Sequence, residues 1–318
     1  MAYRIKRNES VPEAVRRIAG EEINSISSQL AHATGKRRDE AIHEARKSVK
    51  KTRALLRLVR PGLEDAYRVE SEVLRDVGRT LSELRDAGSV IEILGKLQEK
   101  YPARIERSAA NPIRRVLLQK KEEGEKRANL TEMLHDAAVK LRAMGKRVRR
   151  WPIGADGFAA IEDGFETTLR SGRGAFRLAK DKPRPENYHE WRKRLKDHWY
   201  HVRLLENLWT EIMLGYEASL KDVETWLGDD HNLVLLRERL MAEPDRFGPQ
   251  KSIAPILDHI EKYQKELRDN AEALGERIYE EKPARFVRRI RQLWRDWQTE
   301  PKSLEEFEKA VRKDRKAA

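Results

Sequence analysis

Apolar residues recur three and four positions apart along nearly the whole chain, and strict alternation of β-branched residues is hard to find. That period belongs to amphipathic helices rather than to strands. Ser10, Val11, Pro12 and Glu13 form a capping-box sequence with proline in the first turn, which predicts a helix running to about Leu30. A second helix is predicted from about Arg38 to Arg60, stopped by Pro61 and Gly62. A third starts near Leu63, and a fourth starts near Asp86 and ends around Tyr101 and Pro102. Helical pattern resumes from about Asn111 to Arg150, with a break near Gly124 or Asn129. The segment from Trp151 to Gly157 holds a proline and two glycines and reads as a linker. Beyond it helices are expected near 157–180, 186–209, 212–227, 231–242, 252–281, 284–298 and 303–316. The fold class is all-α.

The two halves repeat each other. A shift of 146 positions lays His43, Glu44, Arg46, Lys47, Lys50, Arg57 and Leu58 on His189, Glu190, Arg192, Lys193, Lys196, Arg203 and Leu204. Without a gap, the same shift lays Leu74, Asp76, Val77 and Leu81 on Leu220, Asp222, Val223 and Leu227. It also lays Ser10 on Asp156, another good N-cap residue. One offset held across helix starts, core leucines and charges predicts a duplicated helical bundle. The expected units are 1–150 and 157–300, with 301–318 as an evenly charged C-terminal tail helix.

Placed on a helical wheel at 100° per residue, His43, Arg46, Lys47, Lys50, Arg53 and Arg57 share a stripe about 120° wide. Ala45, Val49, Thr52, Leu56 and Val59 occupy the opposite face. His189, Arg192, Lys193, Lys196 and Arg203 form the matching ridge in the second half, where Trp199 and Tyr200 replace Arg53 and Ala54. A charged helix face is ordinarily just solvated, but such faces mix signs, because like charges a turn apart repel. No carboxylate falls on these stripes, and Glu44 and Glu190 sit at their sides. Repulsion repeated at equivalent positions predicts an anion that relieves it. Arginine suits phosphate through its planar fork and lysine through a mobile point charge. The lysines and arginines are expected to stay charged across pH 5 to 8, which leaves His43 and His189, with ordinary values near 6.5, as the groups that titrate.

Composition narrows the partner. The 318 residues carry 67 Lys and Arg against 54 Asp and Glu, a net charge of +13, which makes a polyanion the default partner class. The cysteine count of 0 excludes disulfides, thiolate metal sites and a cysteine nucleophile, and fits a cytoplasmic setting. Neither a secretory signal nor a run of roughly 18 apolar residues is present, so no membrane span is expected.

The paired His-Glu-x-Arg-Lys helices resemble the two motifs of the CHAD domain, the conserved-histidine α-helical domain. Tyr3 to Lys6 followed by Glu9, Ser10 and Val11 looks like that family's opening segment, and Leu84 to Asp86 and Leu227 to Leu236 look like its two post-motif segments. Asn232 stands where the second segment usually has Asp, and Gly88 and Ser89 replace an expected acidic residue in the first. The likeness spans roughly residues 3 to 298. It implies two four-helix bundles related by a pseudo-twofold, with a basic central surface that binds inorganic polyphosphate. Some members carry a triphosphatase tunnel domain, whose ExExK signature is absent from this sequence, so a stand-alone module is expected.

Other chemistry fails on spacing. The zinc-protease motif needs a second histidine where Lys47 and Lys193 stand. His198 and His201 turn away from His189 and read as packing residues. Gly145 and Lys146 lack the glycine-rich loop of a phosphate-binding P-loop, and Asp76 and Asp222 read as partners for basic side chains. Two further basic clusters matter less: Lys146 to Arg150 abuts the linker, and the amphipathic stretch Arg285 to Gln298 reads as a packed helix with a cationic outer face, with a membrane-surface or rim-of-site role as the alternative. Together with the cationic ridges, the resemblance implies a non-catalytic polyphosphate binder without cofactor or metal, expected in the cytoplasm and associated with polyphosphate-containing granules. A nucleic-acid-binding helical protein is the alternative, and a phosphate-processing enzyme a third. Oligomeric state is not legible.

Overall fold

The computed structural model describes residues 3–33, 38–127 and 129–301. The helices are α1 (Val11–Ala31), α2 (Arg38–Leu58), α3 (Glu64–Lys100), α4 (Arg107–Arg127), α5 (Leu130–Val148), α6 (Ala159–Asp181), α7 (Pro185–Leu204), α8 (Thr210–Ala242), the single turn α9 (Pro244–Phe247), α10 (Gln250–Tyr279) and α11 (Pro283–Thr299). No strand occurs among the described residues. The fold is all-α.

The first cap forms as its sequence predicts. Glu13 N donates to Ser10 Oγ at 3.3 Å and Ser10 N donates back to Glu13 Oε2 at 2.9 Å. Asp156 does not play the matching part for α6. Its Oδ1 accepts from Val11 N at 2.8 Å, and no side chain caps α6. The break expected near Asn129 is the junction of α4 and α5. The tail helix expected over 303–316 lies outside the described residues.

Two predicted helix ends are absent. The helices expected to meet near Asp86 are one continuous α3, and those expected at 212–227 and 231–242 are one continuous α8. The side chains of Leu84 to Asp86 lie outside the described residues. Both helices continue because each passes from one hydrophobic core into another. Leu74, Val77 and Leu81 of α3 and Leu220, Val223 and Leu227 of α8 belong to the larger core. Further along, Val90, Ile93, Leu94 and Leu97 join Leu233, Leu236 and Leu240 in a second core with α4 and α10. A gap in the apolar pattern between two cores looks like a terminus when only one core is assumed. Both cores draw on both halves of the chain, and Trp226 packs against each.

The elements around the larger core keep the spacing of the sequence repeat. Helix α2 ends at Leu58, a 3₁₀ turn spans Arg60–Gly62 and α3 begins at Glu64; α7 ends at Leu204, a 3₁₀ turn spans Glu206–Leu208 and α8 begins at Thr210. Helices α2 and α7 touch directly. His201 Nε2 lies 2.8 Å from the Ala54 carbonyl, and since a carbonyl only accepts, this nitrogen carries the proton. The chain start ties the same region together: Tyr3 donates its hydroxyl to Lys51 O at 2.9 Å, Ile5 N donates to Leu204 O at 3.0 Å, and Asn207 donates to Ile5 O at 2.7 Å. Helix α6 crosses the end of α2 at Gly164, where an added Cβ would fall 1.9 Å from Leu58 O.

Candidate functional site

The polar faces of α2 and α7 line one cleft of about 990 Å³, to which α3 and α8 add further side chains. All eleven residues singled out in the sequence line it: His43, Arg46, Lys47, Lys50, Arg53 and Arg57 from α2, and His189, Arg192, Lys193, Lys196 and Arg203 from α7. Lys51, Arg194 and Lys221 bring the Lys and Arg total to twelve, against the four carboxylates of Glu92, Asp197, Glu224 and Asp229. Burial of the opposite helix faces fixes this orientation: Ala45, Val49 and Leu56 of α2 and Trp191, Leu195 and Val202 of α7 are in the larger core.

The expectation of ridges without carboxylates needs correction, because the wheel sees only one helix at a time. Glu44 and Glu190 reach Lys47 and Lys193 from one turn back, at 2.9 and 2.5 Å. Arg57 pairs across the helix contact with Asp197 of α7, at 2.8 and 3.0 Å to its two oxygens. Arg203 pairs with Glu217 of α8 at 3.1 Å. Most consequential is Glu224 of α8, which sequence reasoning missed. It is 3% exposed and takes Arg192 at 3.0 Å, Lys196 at 2.7 Å and Lys221 at 2.8 Å. A readable signal existed: on the wheel Glu224 borders the apolar stripe of Leu220, Val223 and Leu227, about 40° from Leu220. A carboxylate at that border is drawn toward the core, and a buried charge needs a partner.

Charge and burial together set the titration. Burial alone would push the Glu224 carboxyl up, but Lys196, Arg192 and Lys221 hold it well below the usual carboxylate range. Lys196 is pushed down to about 8 by burial, with Glu224 opposing and Arg192 reinforcing. Lys50 falls to about 6, through burial first and then the nearby charges of Lys196, Arg192 and Arg46. The expectation that every ridge lysine stays charged to pH 8 therefore does not hold for Lys50, because one cavity wall desolvates it among like charges. His189 is lowered by burial, Arg192 and Lys193; its ring lies 4.1 Å from that of His231, and its Nδ1 is buried without a hydrogen bond.

Two non-ionic details shape the α7 wall. Gly228 leaves space for the Arg192 guanidinium, whose Nη2 would lie 3.0 Å from an added Cβ. Trp199, which stands where the first ridge has Arg53, carries Lys221, Arg203 and Lys196 at 4.9, 5.3 and 5.8 Å from its ring and stacks on Tyr200 at 4.9 Å. His198 and His201 are fully buried in the core, the packing role expected of them. Among the described residues, no three His, Asp or Glu side chains are grouped to hold a metal ion, and no helix is long and apolar enough to cross a membrane. Among protein families, the model of the CHAD domain matches residues 23–241. No curated protein matches the chain.

Proposed function

The chain belongs to the CHAD domain family, and on that premise we propose that its cleft binds inorganic polyphosphate without catalysis. The observation that carries the reading is the convergence of both cationic ridges on one cleft, where twelve Lys and Arg side chains outnumber four carboxylates. A linear chain of phosphates presents closely spaced, fully ionised groups, which suits side chains that offer many charge-assisted contacts and little else. The carboxylates argue for binding over chemistry. Glu224 and Asp197 are taken up by cleft cations, and Asp229 pairs with Lys96 at 2.7 Å. A metal-dependent phosphotransfer site would need such groups open to an ion.

The proposal includes the architecture. The chain is read as two copies of a four-helix unit, about 1–150 and 157–300, related by a pseudo-twofold that brings the ridges face to face. The matched helix ends and 3₁₀ turns support it. A cytoplasmic location at polyphosphate-containing granules goes with this function.

Competition tests the reading. Labelled long-chain polyphosphate bound at one fixed salt concentration should be displaced by unlabelled polyphosphate at far lower phosphate concentration than by triphosphate, RNA or DNA. Equal displacement by RNA or DNA would make this a general nucleic-acid binder instead, because base-reading proteins add stacking and edge contacts to their phosphate contacts.

A further inference from the structure

The two walls of the cleft are not equivalent. On one, Arg192, Lys196 and Lys221 converge on the buried Glu224. Arg46 and Lys50 occupy the corresponding places on the other, each 146 positions earlier than Arg192 and Lys196. The correspondence extends to the backbone beneath: Arg46 Nη1 reaches Ser82 O at 3.5 Å, and Ser82 precedes Gly228, against which Arg192 lies, by the same 146 positions. It ends at the carboxylate. The residue 146 positions before Glu224 is Gly78. An added Cβ there would meet only Val49 Cγ1, at 3.5 Å, an ordinary contact, so the backbone at this place does not exclude a side-chain-bearing residue.

Lys50 consequently makes no hydrogen bond or ion pair among the described residues. The charged groups around it are Arg46 on its own helix, Arg192, Lys196 and His189 of α7, and Glu224 of α8, with Lys221 of α8 and Glu92 of α3 on the same cleft lining. Arg192, Lys196 and Lys221 pair with Glu224 directly, and Lys50 feels its charge only at a distance, without an ion pair to it.

We infer that the walls divide the work of holding an anion: Glu224 is a positioning residue that assembles Arg192, Lys196 and Lys221 in advance, while Lys50, facing no such carboxylate, receives its counter-charge from the ligand. The inference rests on the cleft being the polyphosphate site. In the free protein at pH 7.5 the Lys50 amine is mostly neutral, given its value of about 6. A phosphate placed beside it favours the ammonium form, so binding draws one proton from the buffer onto Lys50 Nζ. Affinity then falls about tenfold for each pH unit above about 6.5, up to the value Lys50 reaches in the complex. Lys196 joins this response only near and above about 8, because Glu224 keeps it charged below that.

Isothermal titration of the full chain with long-chain polyphosphate, at pH 7.5 in two buffers of different ionisation enthalpy, counts the protons taken up. The wild type should take up somewhat more than one, about one from Lys50 and a few tenths from Lys196 and His189. Lys50→Met should reduce the count to those few tenths and flatten the pH dependence. Gly78→Glu places a carboxylate on the α2 wall and should lower the count in the same direction with Lys50 intact. Glu224→Gln should raise it toward two, because Lys196 loses the group that keeps it protonated. A purely structural Glu224 would weaken binding at every pH and leave the count unchanged, which would overturn its assigned role. Polyphosphate binding by the wild type with no proton uptake would overturn the inference and leave the proposed function standing. Absence of polyphosphate binding would remove that function itself.

Discussion

His198 and His201 give the fold a defined sensitivity to acid. Both are fully buried on α7. The His198 ring meets Tyr216 at 5.4 Å, Phe286 at 5.9 Å and Phe165 at 6.1 Å, and His201 sits between Phe165 at 6.1 Å and the Ala54 carbonyl. Burial pushes His198 down to about 3 and His201 to about 4, the latter despite its hydrogen bond to Ala54. In the unfolded chain both titrate near 6.5. With the folded values depressed, their neutral burial is fully compatible with folding above about pH 7. As pH falls below 6.5, the unfolded state takes up protons that the folded state refuses until about pH 4. At pH 5 the unfolded form gains about 1.5 pH units of proton binding per histidine, or about 2 kcal/mol each and about 4 kcal/mol together. Domains commonly have only about 5–15 kcal/mol in all. Urea unfolding at pH 7.5 and pH 5.0 measures the loss. His201→Gln can keep a donor to Ala54 O while removing one titration, so its loss between the two pH values should be about 2 kcal/mol smaller than that of the wild type. Lys50 and His189 also titrate in this range but cancel in the difference. Equal losses in variant and wild type would refute the assignment.

Three further outcomes are expected. Replacing Lys47, Lys50, Lys193 and Lys196 together with Glu should abolish polyphosphate binding while far-ultraviolet circular dichroism keeps its helical form; retained affinity would move the site. The logarithm of affinity should fall by about 0.7 per phosphate contact for each logarithmic unit of salt, so about six contacts would cost about 300-fold between 50 and 200 mM, and a flat response would point to a small desolvated ligand site. Gly164→Ala should destabilise by about 3 kcal/mol or more, beyond ordinary overpacking, because the new methyl meets the backbone of Leu58 and Arg57 rather than a movable side chain; an unchanged urea midpoint would show that α6 and α2 separate freely.

The legible features were those a single helix can express. The apolar side of α2 sets which way His43 to Arg57 point, and the 146-position repeat transfers that orientation to α7, so the residues of both ridges could be named before their helices were seen to meet. Features that depend on two elements were hidden. The pauses near Asp86 and after Leu227 read as termini because nothing local distinguishes the end of a helix from its passage between cores. Asp156 has the composition of a cap but spends its carboxylate on Val11 N, a partner 145 positions away.

The same distinction explains why the ridges are stable without ligand, which the sequence alone makes puzzling. Twelve cations in one cleft would repel strongly if none were compensated. The fold compensates some from neighbouring helices, through Asp197, Glu217 and Glu224, and some from the same helix, through Glu44 and Glu190. Lys47 and Lys193 are the more exposed lysines, and pairs of that kind contribute little and break readily. Glu224 is of another kind, because it is buried and shared by three cations. Removing its charge would leave them repelling one another in a poorly solvated place, so its substitution is expected to act on protonation before it acts on shape. A cleft organised this way can concentrate positive charge for an incoming polyanion and still fold in its absence, with Lys50 able to shed its proton because burial and its cationic neighbours outweigh the distant Glu224.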